Sequence, residues 1–279
     1  MRPGDPEPAP SPALMSPAPQ TPFKHLPELA GAIVAAGQSR LRFTDEVLAE
    51  WDQQAIERGL GPAWRLSDDA LEASRLGLLG PSIGQQDLWI FACGSLMWDP
   101  ALHFSEVRRA TLPGFQRRFC CRTTIGRGTV AQPGLVLSLA PGPGLCHGLV
   151  FRIEASLAQQ ESRLFWRREL LFGSYLPALR PVATPQGEVQ ALVLMANPGH
   201  PSHAGEVTQE AAAAVIRSAQ GELGTNLEYF QHLLGQLGRL GIVDPHMRRL
   251  SDLIANRPRQ RLIDPLSLSF QPNFLKALP

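Results

Sequence analysis

The residues Leu88-Trp89-Ile90-Phe91-Ala92-Cys93-Gly94-Ser95-Leu96-Met97-Trp98 form an apolar run that stops at Gly-Ser and resumes with large hydrophobes. The pattern reads as a buried strand whose carboxyl end enters a tight turn, where main-chain N–H groups can converge on an anion. Further on, Trp166-Arg167-Arg168-Glu169 sets a carboxylate beside a bulky aromatic. Desolvation by such a neighbour is how a glutamate becomes a general base near neutral pH. An anion-holding loop plus one carboxylate points to an enzyme.

Other chemistries find less support. Gly142, Gly144 and Gly148 superficially resemble a phosphate loop, but Leu149 to Ile153 reads as strand, so no helix N-terminus follows. Cys146-His147 with His103, His200 or His203 matches no zinc spacing. Cys93 beside Gly94-Ser95 leaves a thiolate nucleophile with a distant histidine as an alternative. The four cysteines, Cys93, Cys120, Cys121 and Cys146, contain no CxxC pair, which suits buried thiols in a reducing compartment. The 279 residues carry a net charge of +1, and their arginine doublets are scattered rather than gathered on one face, so a nucleic-acid footprint is not expected. The apolar patch from Leu29 to Ala36 is far shorter than the roughly 20 residues of a membrane span. A soluble cytoplasmic protein is the expectation.

The elements that must position these residues divide into four stretches. Residues 1–22 are a Pro/Ala-rich tail expected to be disordered, because it cannot bury enough apolar surface to offset its ordering entropy. Residues 23–86 read as a helical N-terminal extension. One helix is capped at Thr44-Asp45-Glu46 and stopped by Gly59, another starts at Ser67-Asp68-Asp69 and runs through Leu76, and the joint lies from Gly80 to Gln86. Residues 87–256 form the main domain, and 257–279 a loop-like C-terminal tail.

In the main domain the expected strands are Leu88–Ala92, Val107–Leu112, Phe115–Cys121, Leu135–Leu139, His147–Ile153, Leu179–Val182 and Val189–Met195, with turns at Pro113-Gly114, Pro133-Gly134 and Pro141-Gly142-Pro143-Gly144. A helix opens at the capping box Ser156-Leu157-Ala158-Gln159 and lines up Leu157, Leu164 and Leu171 on one face. Later helices run from Thr208 to Ala219, from the box Thr225-Asn226-Leu227-Glu228 to Leu240, and from Pro245 to about Ala255. Strands first and helices mostly later is an α+β signature.

Several separated motifs together resemble the ChaC-type, glutathione-specific γ-glutamylcyclotransferases. They are Trp89-Ile90-Phe91 leading to Gly94-Ser95-Leu96-Met97-Trp98, Leu112-Pro113-Gly114-Phe115 before Arg117-Arg118-Phe119, Arg127-Gly128-Thr129 with Pro133-Gly134-Leu135-Val136-Leu137, and Trp166-Arg167-Arg168-Glu169 with Gly173 and Tyr175. Asn197-Pro198 and Gly224-Thr225-Asn226 with Tyr229 continue the match in order and spacing. The resemblance spans roughly Asp87 to Asn256.

It implies a small mixed β-barrel with flanking helices, no cofactor, no metal, and a small-molecule substrate, with no nucleic-acid or membrane partner; it leaves the oligomeric state open. The implied reaction closes the substrate's own α-amine onto its γ-carbonyl, so that glutathione yields 5-oxoproline and Cys-Gly. Glu169 matches the family's catalytic glutamate. Arg168 beside it would lower its pKa, and the two side chains are expected to diverge, as sequence neighbours do on a helix or strand.

Cys93, Gly94, Ser95 and Leu96 match the substrate-holding loop, with the departure that Cys93 stands where the family usually has Tyr and Ala92 where it has Gly. Arg127 is a candidate to fork a substrate carboxylate, though a solvated loop arginine is the plainer reading. Tyr175, six residues after Glu169, is in reach of the same pocket, whereas Tyr229 on an amphipathic helix reads as a core tyrosine. Readings that remain beside this one are a non-catalytic glutathione or γ-glutamyl sensor and a cyclotransferase for other γ-glutamyl amines.

Overall fold

The computed structural model describes residues 21–57, 59–80 and 83–256. The expected disorder of residues 1–20 and the expected tail at 257–279 lie outside the described residues. Thr21 and Pro22, counted with the first tail, are in place, and the Pro22 carbonyl accepts a hydrogen bond from Val107 N at 3.0 Å.

Five strands close a barrel: β1 (Leu88–Ala92), β2 (Glu106–Thr123), β3 (Gly134–Ile153), β4 (Tyr175–Thr184) and β5 (Gly187–Ala196), in the order β1-β3-β2-β4-β5, with β5 returning parallel to β1. A two-stranded ribbon, β6 (Gln220–Gly221) and β7 (Gly224–Thr225), lies outside it. The sequence divides β2 and β3 each into two strands at Pro113-Gly114 and at the Pro-Gly repeat of 141–144. The structure instead runs both straight through as one long antiparallel pair with register shifts at Pro113/Phe115 and Phe119/Cys121. The prolines are accommodated because a bulge leaves ladder positions that need no N–H donor.

Flanking the barrel are α1 (Asp45–Glu57), α2 (Asp68–Leu79), α3 (Ala155–Glu169), α4 (Gln209–Ser218), α5 (Asn226–Arg239) and α6 (Pro245–Ala255). Ser67, Thr208 and Thr225 cap their helices as their types suggest, and Thr225 with Glu228 forms the full reciprocal box. At α3 the reading is wrong in two respects. Glu154 occupies the N-cap position, so the box at Ser156 does not form, and Leu157 is exposed while Leu171 lies beyond the helix.

The buried face of α3 is Ala158, Glu161, Ser162, Phe165 and Trp166. Two of these are polar because arginines from the N-terminal segment reach them. Arg42 forks Glu161 with two bonds of 2.7 Å, and Arg75 donates to Ser162 Oγ at 2.9 Å. A buried charge survives only when paired in this way, which an apolar-periodicity rule does not register.

The N-terminal segment shares its core with the barrel. Leu26, Leu29, Ile33, Phe43, Leu48 and Leu71 belong to one continuous buried cluster with Ile90, Phe151, Trp166 and Leu192. Trp51 and Trp64 stack, Trp64 meets Phe172 edge to face, and Leu66 N bonds the Leu171 carbonyl at 2.9 Å. The segment therefore braces the chain just after Glu169.

Candidate active site

The end of β1 and the end of α3 meet at one edge of the barrel. β1 can deliver its carboxyl end there because Gly148 of β3 has no side chain: a Cβ at that position would stand 2.2 Å from the Ala92 carbonyl oxygen. The chain then turns through a 3-10 helix at Ser95–Met97, closed by Met97 N to Gly94 O at 2.9 Å and Trp98 N to Ser95 O at 3.1 Å. Such a turn leaves the N–H groups ahead of its first bond, those of Ser95 and Leu96, without a partner inside the turn. Gly94 and Ser95 are half-buried at the mouth, while Cys93 and Leu96 pack inward. Of the four loop residues expected to hold substrate, Cys93 and Leu96 have side chains packed into the core.

The loop is braced from beneath by Arg117, which is almost fully buried and which the sequence marks only as part of a family motif, with no role. Its Nε donates to the Cys93 carbonyl at 2.8 Å, a second nitrogen donates to the His147 carbonyl, and it pairs with Asp244 at 3.2 Å. The Cys93 and Cys146 thiols are free and hydrogen-bonded to each other, and that contact, with burial, pushes the Cys93 pKa well above the ordinary value. A thiol held in this state is a poor nucleophile at neutral pH, which removes the support for the cysteine-hydrolase alternative.

Glu169 closes α3, with its side chain 13% exposed. Burial pushes its pKa above the ordinary carboxylate value, the Arg168 guanidinium pulls it back, and the Asp99 carboxylate raises it further. The expected divergence of Arg168 and Glu169 does not occur. Arg168 Nε lies 2.8 Å from Glu169 Oε1, because the helix ends here and both long side chains can bend into the same polar space. Arg168 also donates to the Asp99 carbonyl at 2.6 Å, and Asp99 N bonds Ser95 O at 2.9 Å, so Glu169 and the loop are linked through one arginine.

Tyr175, at the start of β4, lies in the same neighbourhood. Burial raises its hydroxyl pKa well above 10, and the Glu169 carboxylate adds to the effect. Tyr229 is a core tyrosine, as its helical spacing suggests. It is buried against Trp98 and Phe119, as a core tyrosine should be, yet its hydroxyl lies only 3.4 Å from where a Gly94 Cβ would stand, and the Glu169 carboxylate bears on it. Its helical spacing was visible in the sequence; its hydroxyl's direction was not. Asn226 seats the helix that carries it, pairing with both the N–H and the carbonyl of Leu135 at 2.8 and 2.7 Å.

Arg127 is tied to that helix start rather than free. It donates to the Thr225 carbonyl at 3.1 Å and pairs with Glu228 at 3.5 Å. Of the histidines considered as ligands, His147 bonds Thr111, His200 bonds Ser202 and His203 accepts from Gly205 N. No helix among the described residues is long and apolar enough to cross a membrane.

The assembled edge offers a half-buried turn with main-chain donors, one desolvated carboxylate and two buried hydroxyls. Such a set suits proton transfer to and from a small polar substrate held against the loop. Comparison with known proteins agrees with it. Residues 88–257 match the family described as ChaC-like protein. The chain is 40% identical over 197 residues to the glutathione-specific gamma-glutamylcyclotransferase of Escherichia coli (strain K12), covering 70% of this chain and 83% of that one. It is 30% identical over 175 residues to glutathione-specific gamma-glutamylcyclotransferase 1 of Homo sapiens, covering 61% and 79%. Among solved structures, the yeast gamma-glutamyl cyclotransferase specific to glutathione superposes with a TM-score of 0.57 at 22% identity, covering 61% of this chain and 96% of that one, and so shares the fold.

Proposed function

This chain belongs to the ChaC-like protein family, and on that premise we propose that it is a glutathione-specific γ-glutamylcyclotransferase, releasing 5-oxoproline and Cys-Gly. The observation that carries this reading is the desolvated Glu169, its pKa raised by burial, joined through Arg168 and Asp99 to the Gly94-Ser95 turn.

In the reaction the substrate's α-amine forms a bond to its own γ-carbonyl carbon, and the bond to the cysteinyl nitrogen breaks. No water is consumed. Ring closure within one molecule replaces a bimolecular encounter, and well-oriented intramolecular reactions reach effective molarities of about 10⁵–10⁸ M, so holding the folded-back conformer is most of the task. What remains is proton management. An α-ammonium cannot attack, so Glu169 takes one proton from it and returns one to the departing amine, a shuttle that a carboxylate near neutrality performs in both directions.

The Ser95 and Leu96 N–H groups and the Ser95 hydroxyl hold the glutamyl carboxylate, and Tyr175 and Tyr229 line the wall against which the chain folds back. Cys93 supports the turn through its carbonyl on Arg117, and Arg127 positions the start of α5. Burial of the base and a family context shared over 170 residues favour turnover over sensing.

The test is Glu169→Gln, assayed by mass spectrometry for 5-oxoproline from glutathione and, separately, from simple γ-glutamyl amino acids, with binding followed calorimetrically. Wild type is expected to release 5-oxoproline from glutathione; the variant is expected to bind it and release none. Wild-type turnover in the variant would refute the base. Binding without release in the wild type would make the chain a sensor.

A further inference from the structure

Arg168 poses a chemical problem for the proton shuttle. A guanidinium 2.8 Å from a carboxylate stabilises the anion, and an anion so stabilised accepts a proton poorly. The structure contains a counterweight. Asp99, from the turn after β1, lies against the same guanidinium, with its Oδ1 3.9 Å from Arg168 Nη1, whereas Glu169 meets Nε. That oxygen is buried and, among the described residues, accepts no hydrogen bond.

Buried carboxylate oxygens are almost always bonded, and one that is not keeps its field undiminished for its neighbours. Asp99 cannot easily turn away, since its N–H is bonded to Ser95 and its carbonyl to Arg168. Nor can a substrate reach Oδ1, which is closed off on every side.

We propose that Asp99 is a positioning residue for the general base: its carboxylate offsets the Arg168 guanidinium, so that Glu169 stays held in place by the arginine while remaining a proton acceptor. The inference rests on the cyclotransferase reading for its purpose, but not for its physics.

The groups that face Glu169 are few. Arg168 comes from its own helix, Asp99 from the turn after β1, Cys93 from the end of β1, Tyr175 from β4 and Tyr229 from α5. The thiol and both hydroxyls stay neutral through the working range, because the Cys146 contact and burial hold the thiol, and burial holds each hydroxyl, above its ordinary value. Arg168 and Asp99 are therefore the charges that set the base, one pulling its pKa down and the other up. Removing Asp99 leaves the arginine unopposed.

The experiment compares wild type with Asp99→Asn, which keeps the shape and removes the charge, and with Asp99→Glu, which restores a charge. The Glu169 carboxyl is titrated by ¹³C NMR on glutamate-labelled protein, its resonance assigned by its loss in Glu169→Gln, beside the pH profile of kcat/KM for 5-oxoproline release. In Asp99→Asn the titration and the acidic limb are expected to move down together by about one pH unit, with kcat about threefold lower and KM little changed. Asp99→Glu moves both part of the way back. A Glu169 titration in Asp99→Asn that coincides with wild type overturns the inference. Because the NMR titration needs no turnover, a wild type that releases no 5-oxoproline would sink the functional reading and still leave Asp99 decided.

Discussion

Arg42→Met removes the guanidinium that joins the N-terminal segment to α3 while keeping most of the side chain's apolar stem. In the folded protein Arg42 makes two 2.7 Å bonds to Glu161 and a third of 2.7 Å to the Ala101 carbonyl, and the Glu161 side chain has no exposure to solvent. After the substitution Glu161 keeps only the His103 N–H at 3.1 Å. Stranding one member of a buried pair costs about 3–5 kcal/mol. An upper bound comes from neutralisation: a carboxyl group of ordinary acidity takes up a proton at pH 7 for about 3.7 kcal/mol. The expected loss is therefore about 3–4 kcal/mol, which for a folded unit of this size lowers Tm by about 6–16 °C.

The cost arises from the stranded charge rather than from the lost bonds, so Arg42→Met/Glu161→Gln should recover at least about 1.5 kcal/mol over the single variant, since the amide oxygen still accepts from His103. Thermal and urea unfolding of the two singles and the double close the cycle. A single variant melting within 2 °C of wild type (about 0.5–1 kcal/mol), or a double no more stable than Arg42→Met, would refute the reasoning.

The raised pKa of Glu169 has opposite signs for activity and for stability. As the ionised base it is lost when pH falls through its raised pKa, so kcat/KM should fall on the acidic side at a higher pH than an ordinary glutamate would impose. For folding, a carboxyl with a raised pKa contributes stability that is fully present below its unfolded pKa and is lost as pH rises through the folded one. Glu169→Gln and wild type should therefore melt alike near the unfolded carboxyl value of about 4.3, with the variant ahead at pH 8; equal melting at pH 8 would contradict the burial argument. Tyr229→Phe, which removes the hydroxyl beside Gly94, is expected to lower kcat/KM about tenfold with a stability loss of only about 1 kcal/mol; unchanged kinetics would limit this tyrosine to packing. Gly148→Ala drives a methyl to 2.2 Å from the backbone oxygen of Ala92, which cannot swing aside, and should cost about 2 kcal/mol or more together with activity, whereas Gly142→Ala meets the movable amide tip of Gln116 at the same distance and should be tolerated; equal unfolding midpoints would reject the close-approach account.

Local features were legible in the chain wherever one element's own residues decide them. The strand into Gly94-Ser95, the caps at Ser67, Thr208 and Thr225, and the start of α6 at Pro245 follow from side-chain type and spacing, and they stand where the pattern puts them. The family motifs likewise marked Glu169 and the turn, because they are short and contiguous. The joining of β2 and β3 into unbroken strands was not legible, since a Pro-Gly pair signals a turn until a partner strand supplies the bulge that absorbs it. Nor was the polar face of α3, whose Glu161 and Ser162 are buried only because Arg42 and Arg75 arrive from more than eighty residues away.

The site divides along the same line. That this chain holds a carboxylate next to an aromatic, a glycine-serine turn and two tyrosines is a property of the sequence alone, because composition and order require no fold. That Arg168 bends onto Glu169, that Asp99 lies against the same guanidinium, that Arg117 holds the loop from below and that Tyr229 directs its hydroxyl at Gly94 was decided by the closed barrel. Electrostatic tuning depends on separations of a few ångströms between groups remote in sequence, and only tertiary packing sets those separations.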